Sequence, residues 1–134
     1  KRFEDDYNCC ETVLLAFSEL MGVESGIIPG IATPFGGGIH KRKHMCGALS
    51  GAVMAIGLKY GRSTPDGDRD PSSQRAGRII DKFIERYGSA NCLEILGYGP
   101  EDLDKIKQNK QQIRTTICGP LIKQVAEWLW EELV

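Results

Sequence analysis

Cysteine is the residue type in this chain best able to do chemistry, and there are five, at positions 9, 10, 46, 92 and 118. The thiolate form is the nucleophile and the soft metal ligand. It is favoured where helix N-termini and neighbouring cations lower the thiol pKa. The densest concentration of such features is the stretch Phe35 to Gly51. There Gly36, Gly37 and Gly38 precede His40, the basic run Lys41-Arg42-Lys43 and His44, and Cys46 then leads into a helix rich in small residues. Glycine lets the backbone adopt positive φ and approach another group closely. A helix start offers unpaired N–H groups and about half a positive charge.

The spacing contains no Cys-x-x-Cys pair, which argues against a zinc ribbon or a thioredoxin-type motif. Whatever joins these residues must therefore be tertiary. Cys46, Cys92 and Cys118 each fall at or just before a predicted helix start, and Cys9 falls near the start of the first helix. Four thiolates in one place repel, and helix N-termini, backbone amides and the 41–43 cations would offset that charge; a metal would do so more completely. Four cysteinates suit an iron–sulfur cluster or zinc. The bland alternative is that free cysteine is among the most buried residue types and packs as a small hydrophobe. His40 and His44, four apart beside Cys46, are further ligand candidates, with solvent exposure as their default.

The elements that must position these residues are helical. Cys10, Val13, Leu14, Phe17, Leu20 and Met21 recur at three and four, predicting a helix over 4–22 with Asp5 and Asp6 in its first turn. On that period Cys10 lies mid-stripe and Cys9 on its edge. Residues 23–45 carry too many breakers for a long helix and are read as a structured loop. A second helix is predicted over 46–60, with Gly47, Gly51 and Ala55 on one face. Small residues at a spacing of four let a neighbouring backbone come close. The glycines cost roughly 1 kcal/mol each relative to alanine, so close packing or clearance for a cofactor should compensate. Gly36, Gly37, Gly38, Gly47 and Gly51 are thus candidates to lie against a bound group.

A polar connection over 62–73 ends in Asp70-Pro71, a cap followed by proline at the first helical position. Ala76, Ile79, Ile80, Phe83, Ile84 and Tyr87 give the best amphipathic pattern in the chain, stopped by Gly88. Asn91 caps a short element through Leu96 that opens on Cys92. A solvent-facing helix is expected over 101–110, then a stretch without clear period to Cys118, and Gly119-Pro120 opens a last helix. Its stripe is Leu121, Val125, Trp128 and Leu129, with Trp130 pointing away as a self-association surface or an isolated exposed ring. No segment alternates at period two, so the fold class is all-α: a bundle of about five helices with a Gly-rich loop, one domain over 1–134.

Seventeen Lys and Arg balance eighteen Asp and Glu, and the pI is near 6.2, so no overall field favours nucleic acid. The longest apolar run, Val53 to Leu58, falls far short of the ~20 residues needed to span a bilayer. A cytoplasmic protein is the reading. No Ser-His-Asp set, paired catalytic carboxylates or nucleotide loop is present, so no substrate can be assigned.

Asn8-Cys9, the glycine loop 35–38, Cys46-Gly47-Ala48-x-x-Gly51, Gly88-Ser89 followed by Cys92, and Cys118 form an ordered set over most of the chain. In this set the chain resembles the family of redox-active proteins named for its cysteine pattern, C_GCAxxG_C_C. The resemblance implies a redox or metal role for Cys9, Cys46, Cys92 and Cys118, and a prokaryotic origin. A related domain occurs in split-Soret-type cytochromes beside an iron–sulfur centre. Cys10 stands where the family usually has a small residue, so the choice between Cys9 and Cys10 as ligand stays open, with His44 a further possible substitute from its place beside Cys46. Covalent haem is not expected, because no Cys-x-x-Cys-His occurs.

The resulting expectation is a redox or electron-transfer module that holds an iron–sulfur cluster on four dispersed cysteines and meets a redox partner protein. The alternatives are a thiol–disulfide protein with Cys46 as the low-pKa attacking thiol, and a non-catalytic helical interaction module, zinc-stabilised or without cofactor. A homodimer is also open.

Overall fold

The computed structural model describes residues 7–40 and 42–133. The regular structure of these residues is helical, with no strand beyond a single antiparallel bridge between Met45 and Asn91. Four longer helices make the body: α1 (Cys9–Leu20), α2 (Gly47–Tyr60), α3 (Asp70–Tyr87) and, after three short ones, α7 (Gly119–Leu133). The short ones are α4 (Cys92–Leu96), α5 (Leu103–Gln108) and α6 (Lys110–Ile113). About five helices are expected from the periodicity and seven are observed among the described residues. The excess comes from the polar segment between 100 and 118, which breaks into short pieces instead of forming one helix.

The core follows the apolar stripes. Leu14 of α1, Leu49 and Ile56 of α2, Ile79 and Phe83 of α3, and Val125 and Leu129 of α7 are fully buried together. At about 1.5–3 kcal/mol per buried side chain, this contact offsets the glycines of α2. The small-residue face of α2 meets α1: a Cβ on Gly51 would stand 2.8 Å from the Cys10 carbonyl oxygen, and one on Gly47 3.1 Å from the Cys10 amide nitrogen. Trp128 packs against the core and meets Tyr87 edge-on, with ring centroids 6.4 Å apart, whereas Trp130 is exposed.

Helix α1 begins at Cys9, later than the predicted 4; the predicted first turn at 4–6 lies outside the described residues. Asn8 is extended and forms a reciprocal capping box with Glu11. The Asn8 side-chain oxygen accepts from the Glu11 amide at 2.9 Å, and the Glu11 carboxylate accepts from the Asn8 amide at 3.0 Å. The sequence signal was Asn-x-x-Glu, which outweighs a pair of aspartates further upstream. Helix α2 likewise begins one residue later than expected, with Cys46 as its N-cap. Helix α3 opens on Asp70 with Arg69 as N-cap, so Asp70 is not itself the cap, and its amide donates to the Asp68 side chain.

The largest departure is at Cys118. It does not open a helix. From Lys110 to Leu133 the chain is one continuous helical run, interrupted by a π turn at Arg114–Cys118. Pro120 has no N–H to donate four residues back, and its ring would crowd the carbonyl there. The turn before it widens instead, and the Gly119 amide donates to the Arg114 carbonyl, five residues back. Such π turns recur at functional sites.

Candidate redox site

Two chain crossings bring the cysteines to one end of the bundle. The first joins Cys46 to Cys92. The Cys46 amide donates to the Ala90 carbonyl at 2.8 Å, and the Cys92 amide donates to the His44 carbonyl at 2.6 Å, across the Met45–Asn91 bridge. The second seats Cys9 against the glycine loop. The Asn8 amide group donates to the Thr33 carbonyl at 3.1 Å, and the Thr33 hydroxyl donates to Glu11 at 2.6 Å. A Cβ on Gly36 would collide with the Asn8 side chain.

The loop itself needs its glycines. Gly37 and Gly38 have φ of 66° and 75°, and a Cβ on Gly38 would lie 2.6 Å from the Lys43 Cα. Ile39, His40 and Lys43 also take positive φ, which a side chain makes costly. The Lys43 and His44 amides close the loop onto the Gly37 and Gly38 carbonyls at 3.0 and 2.8 Å.

Cys9, Cys46, Cys92 and Cys118 all line one cavity of about 850 Å³, together with Gly36, Gly37, Gly38 and Gly47. Cys10 is not among its walls. It is fully buried in the core, with its sulfur 3.9 Å from that of Met54, so the stripe turns Cys10 inward and leaves Cys9 to the cavity. Cys10 alone fits the reading of cysteine as core filler without also lining the cavity. Gly51 packs α2 on α1 and does not reach the cavity. His40 borders it, whereas His44 is exposed and contributes its backbone carbonyl. Of the basic run, Lys43 lines the cavity, Arg42 is exposed, and Lys41 lies outside the described residues.

The thiols differ sharply in acidity. Cys118 is held down to about 7, chiefly by a hydrogen bond from Cys9 that outweighs burial, with Lys43 and Arg114 adding to the effect. The same hydrogen bond, then burial, then the other three thiols push Cys9 well above the ordinary range. Burial pushes Cys46 up to about 12, although the Leu49 and Ala48 amides at the start of α2 favour its thiolate. Burial also raises Cys92, against the pull of Lys43. The expected low-pKa thiol at Cys46 is therefore corrected to Cys118: desolvation at Cys46 exceeds what a helix start supplies.

Several contributors were not singled out from sequence. Glu11 and Thr33 help Asn8 place Cys9, and the signal for Glu11 was the capping box. Lys107, Lys110 and Arg114 line the cavity from α5, α6 and the π turn, three and four residues apart in sequence. That spacing was visible, but the segment's period was lost at the break near Asn109.

The donor set is four soft sulfur ligands, which matches iron–sulfur chemistry in kind. Among the described residues, no three His, Cys, Asp or Glu side chains stand close enough together to grip one metal ion. No helix among those residues is long and apolar enough to cross a membrane.

Fold and site together define an all-α protein built around a thiol-lined cavity at the end of a helical bundle. The chain belongs to the C_GCAxxG_C_C family of redox-active proteins: the family model described as "Putative redox-active protein (C_GCAxxG_C_C)" matches residues 7–132. It is also similar to an uncharacterized protein of Archaeoglobus fulgidus, 26% identical over 132 residues that cover 90% of this chain and 80% of the relative. No solved structure matches.

Proposed function

We propose that this protein is an electron-transfer module that holds an iron–sulfur cluster on Cys9, Cys46, Cys92 and Cys118. The observation that carries this reading is the convergence of four cysteines, from four different parts of the chain, on one cavity edged by Lys43 and Arg114. Those two cations and the α2 amides would offset the negative charge of ligating thiolates. When bound, a cluster would supply one-electron chemistry at a potential set by charge, hydrogen bonds and exposure. A tetrahedral zinc, with sulfurs about 2.3 Å from the metal, demands a tight group of thiols. The four thiols line the cavity without forming such a tight group.

A second reading rests on Cys9 and Cys118. Cys118, the more acidic thiol, would attack an oxidised disulfide partner and Cys9 would resolve it. A Cys9–Cys118 disulfide would form as two protons and two electrons leave to reduce the partner. Purification without oxygen separates the two. Brown protein with broad visible absorption, iron and acid-labile sulfide supports the cluster. Colourless, metal-free protein that reversibly loses two hydrogens by mass on mild oxidation supports the disulfide and overturns the cluster.

A further inference from the structure

One wall of the cavity is a backbone held under strain. In the glycine loop Ile39, His40 and Lys43 carry side chains at positive φ, with Lys43 at 61°. Such residues persist only where the surrounding structure over-determines them. For Lys43 it does so from both sides. The Lys43 amide donates to the Gly37 carbonyl at 3.0 Å, and the Lys43 carbonyl accepts from the Leu93 amide at 3.2 Å. His44 repeats the pattern: its amide donates to the Gly38 carbonyl at 2.8 Å, and its carbonyl accepts from the Cys92 amide at 2.6 Å. Lys43 is therefore held in register with Cys92, in a conformation that glycine would adopt freely, and it lines the cavity, half-buried, with Cys92 and Cys118.

The other charges of the cavity are placed differently. Arg114 already donates to the Tyr7 carbonyl at 3.3 Å, Lys107 and Lys110 are exposed, and Asp104 shares α5 with Lys107. Lys43 is in no ion pair with a carboxylate among the described residues. Its charge lowers Cys92 and Cys118 alike, whereas Arg114 acts on Cys118. A half-buried charge is screened less by water and salt than an exposed one.

We infer that Lys43 sets the reduction potential of the thiol site, and that the strained loop serves to fix its ammonium beside Cys92 and Cys118. Reduction makes the site more negative, whether one electron enters a cluster or two electrons open a disulfide into thiolates. A fixed cation favours that reduced state and raises the potential. Lys43 acts through its charge and forms no bond in the reaction. The inference rests on the proposed function in that these thiols carry a redox couple.

Four variants test it on the full chain purified without oxygen: Lys43→Met, Lys43→Arg, Lys43→Gly and, as control, Arg42→Met, which removes an exposed cation outside the cavity. Iron-containing chain is followed by spectroelectrochemical titration, and iron-free chain by its thiol–disulfide equilibrium with glutathione, scored by mass. In either couple Lys43→Met should disfavour reduction about tenfold, which lowers the potential by about 59 mV for one electron and about 30 mV for two. Lys43→Arg keeps the charge and should restore the potential. Lys43→Gly relieves the backbone, so it should hold or raise the melting temperature and still lower the potential as far as Lys43→Met does. Arg42→Met should leave the potential unchanged. An unchanged potential in Lys43→Met or Lys43→Gly, or an equal fall in Arg42→Met, would overturn the inference and leave the redox reading standing. Iron-free chain whose disulfide potential falls in Lys43→Met supports the inference although the cluster reading fails. A chain with neither couple overturns both.

Discussion

Cys9 and Cys118, at opposite ends of the chain, face one cavity, where the interaction between their thiols pushes Cys9 up and holds Cys118 down to about 7. In metal-free reduced protein this makes Cys118 the thiol that ionises first, at about 7, with Lys43 and Arg114 assisting. Alkylation by iodoacetamide followed by peptide mass spectrometry should label Cys118 first, with a rate midpoint near pH 7. Cys9→Ala removes the donor, so the Cys118 pKa should rise toward the ordinary thiol range and its rate at pH 7 should fall about tenfold or more. An unchanged midpoint in that variant would mean that the pair is not coupled.

The adjacent cysteines should behave oppositely. Cys9 lines the cavity and Cys10 is sealed in the core beside Met54. Cys10→Ala is expected to lower stability by about 1–2 kcal/mol through lost packing while iron content persists. Cys9→Ala is expected to abolish iron retention with little change in melting temperature. Iron lost from both variants, or from neither, would contradict this division of roles.

Burial raises Cys10 and Cys46 to about 12. A thiol whose pKa is higher folded than unfolded contributes stability that is whole below its unfolded pKa and is lost as pH rises through the folded one. Reduced, metal-free protein should therefore lose thermal stability progressively from about pH 9 toward pH 12. Cys118 has the opposite sign: its lowered pKa favours the fold above the unfolded value, and that share is lost as pH falls through about 7. Melting temperatures across this range should fall on the alkaline side, less steeply for Cys10→Ala. A curve flat to pH 12 would refute the assignment.

Two glycines of α2 should respond with opposite signs. A Cβ at Gly51 meets the Cys10 carbonyl oxygen at 2.8 Å, a backbone atom that moves only if α1 moves, so Gly51→Ala should cost about 1–3 kcal/mol. A Cβ at Gly57 meets nothing within 4 Å, so Gly57→Ala should stabilise by about 0.5–1 kcal/mol through helix propensity. Urea denaturation of the two variants would decide, and equal effects would mean that the small-residue face is not what seats α1.

Pro120 is the cause assigned to the π turn that aims Cys118. Pro120→Ala restores an N–H that can reach the Thr116 carbonyl, which allows an ordinary α turn and rotates Cys118 by about 100° about the helix axis. The variant should hold or gain stability yet lose the acidic Cys118 signature, because the thiol leaves Cys9. Retention of fast alkylation near pH 7 would show that the turn has another cause.

Local patterning determined much of this molecule. The all-α class, the stripes of α1, α3 and α7, the stop at Gly88 and the close-packing face at Gly47 and Gly51 are periodic or stereochemical properties of neighbouring residues, so they can be read along the chain. The inward turn of Cys10 belongs with them. The capping box at Asn8 and Glu11 was equally local, although the expected helix start was set too early.

Tertiary structure alone decided how the cysteines meet and how acidic each becomes. Helix-start logic pointed to Cys46 as the reactive thiol, but that logic counts the amides a residue gains and not the water it loses; desolvation is set by the packing of α1, α2 and the 36–38 loop. Cys118 became the acidic one through a donor from the far end of the chain, on a turn whose width depends on Pro120 as well as on its own residues. Hydrogen bonds between distant residues and the removal of solvent have no period in sequence, which is why the cavity and its charge ordering emerge only once the helices are assembled.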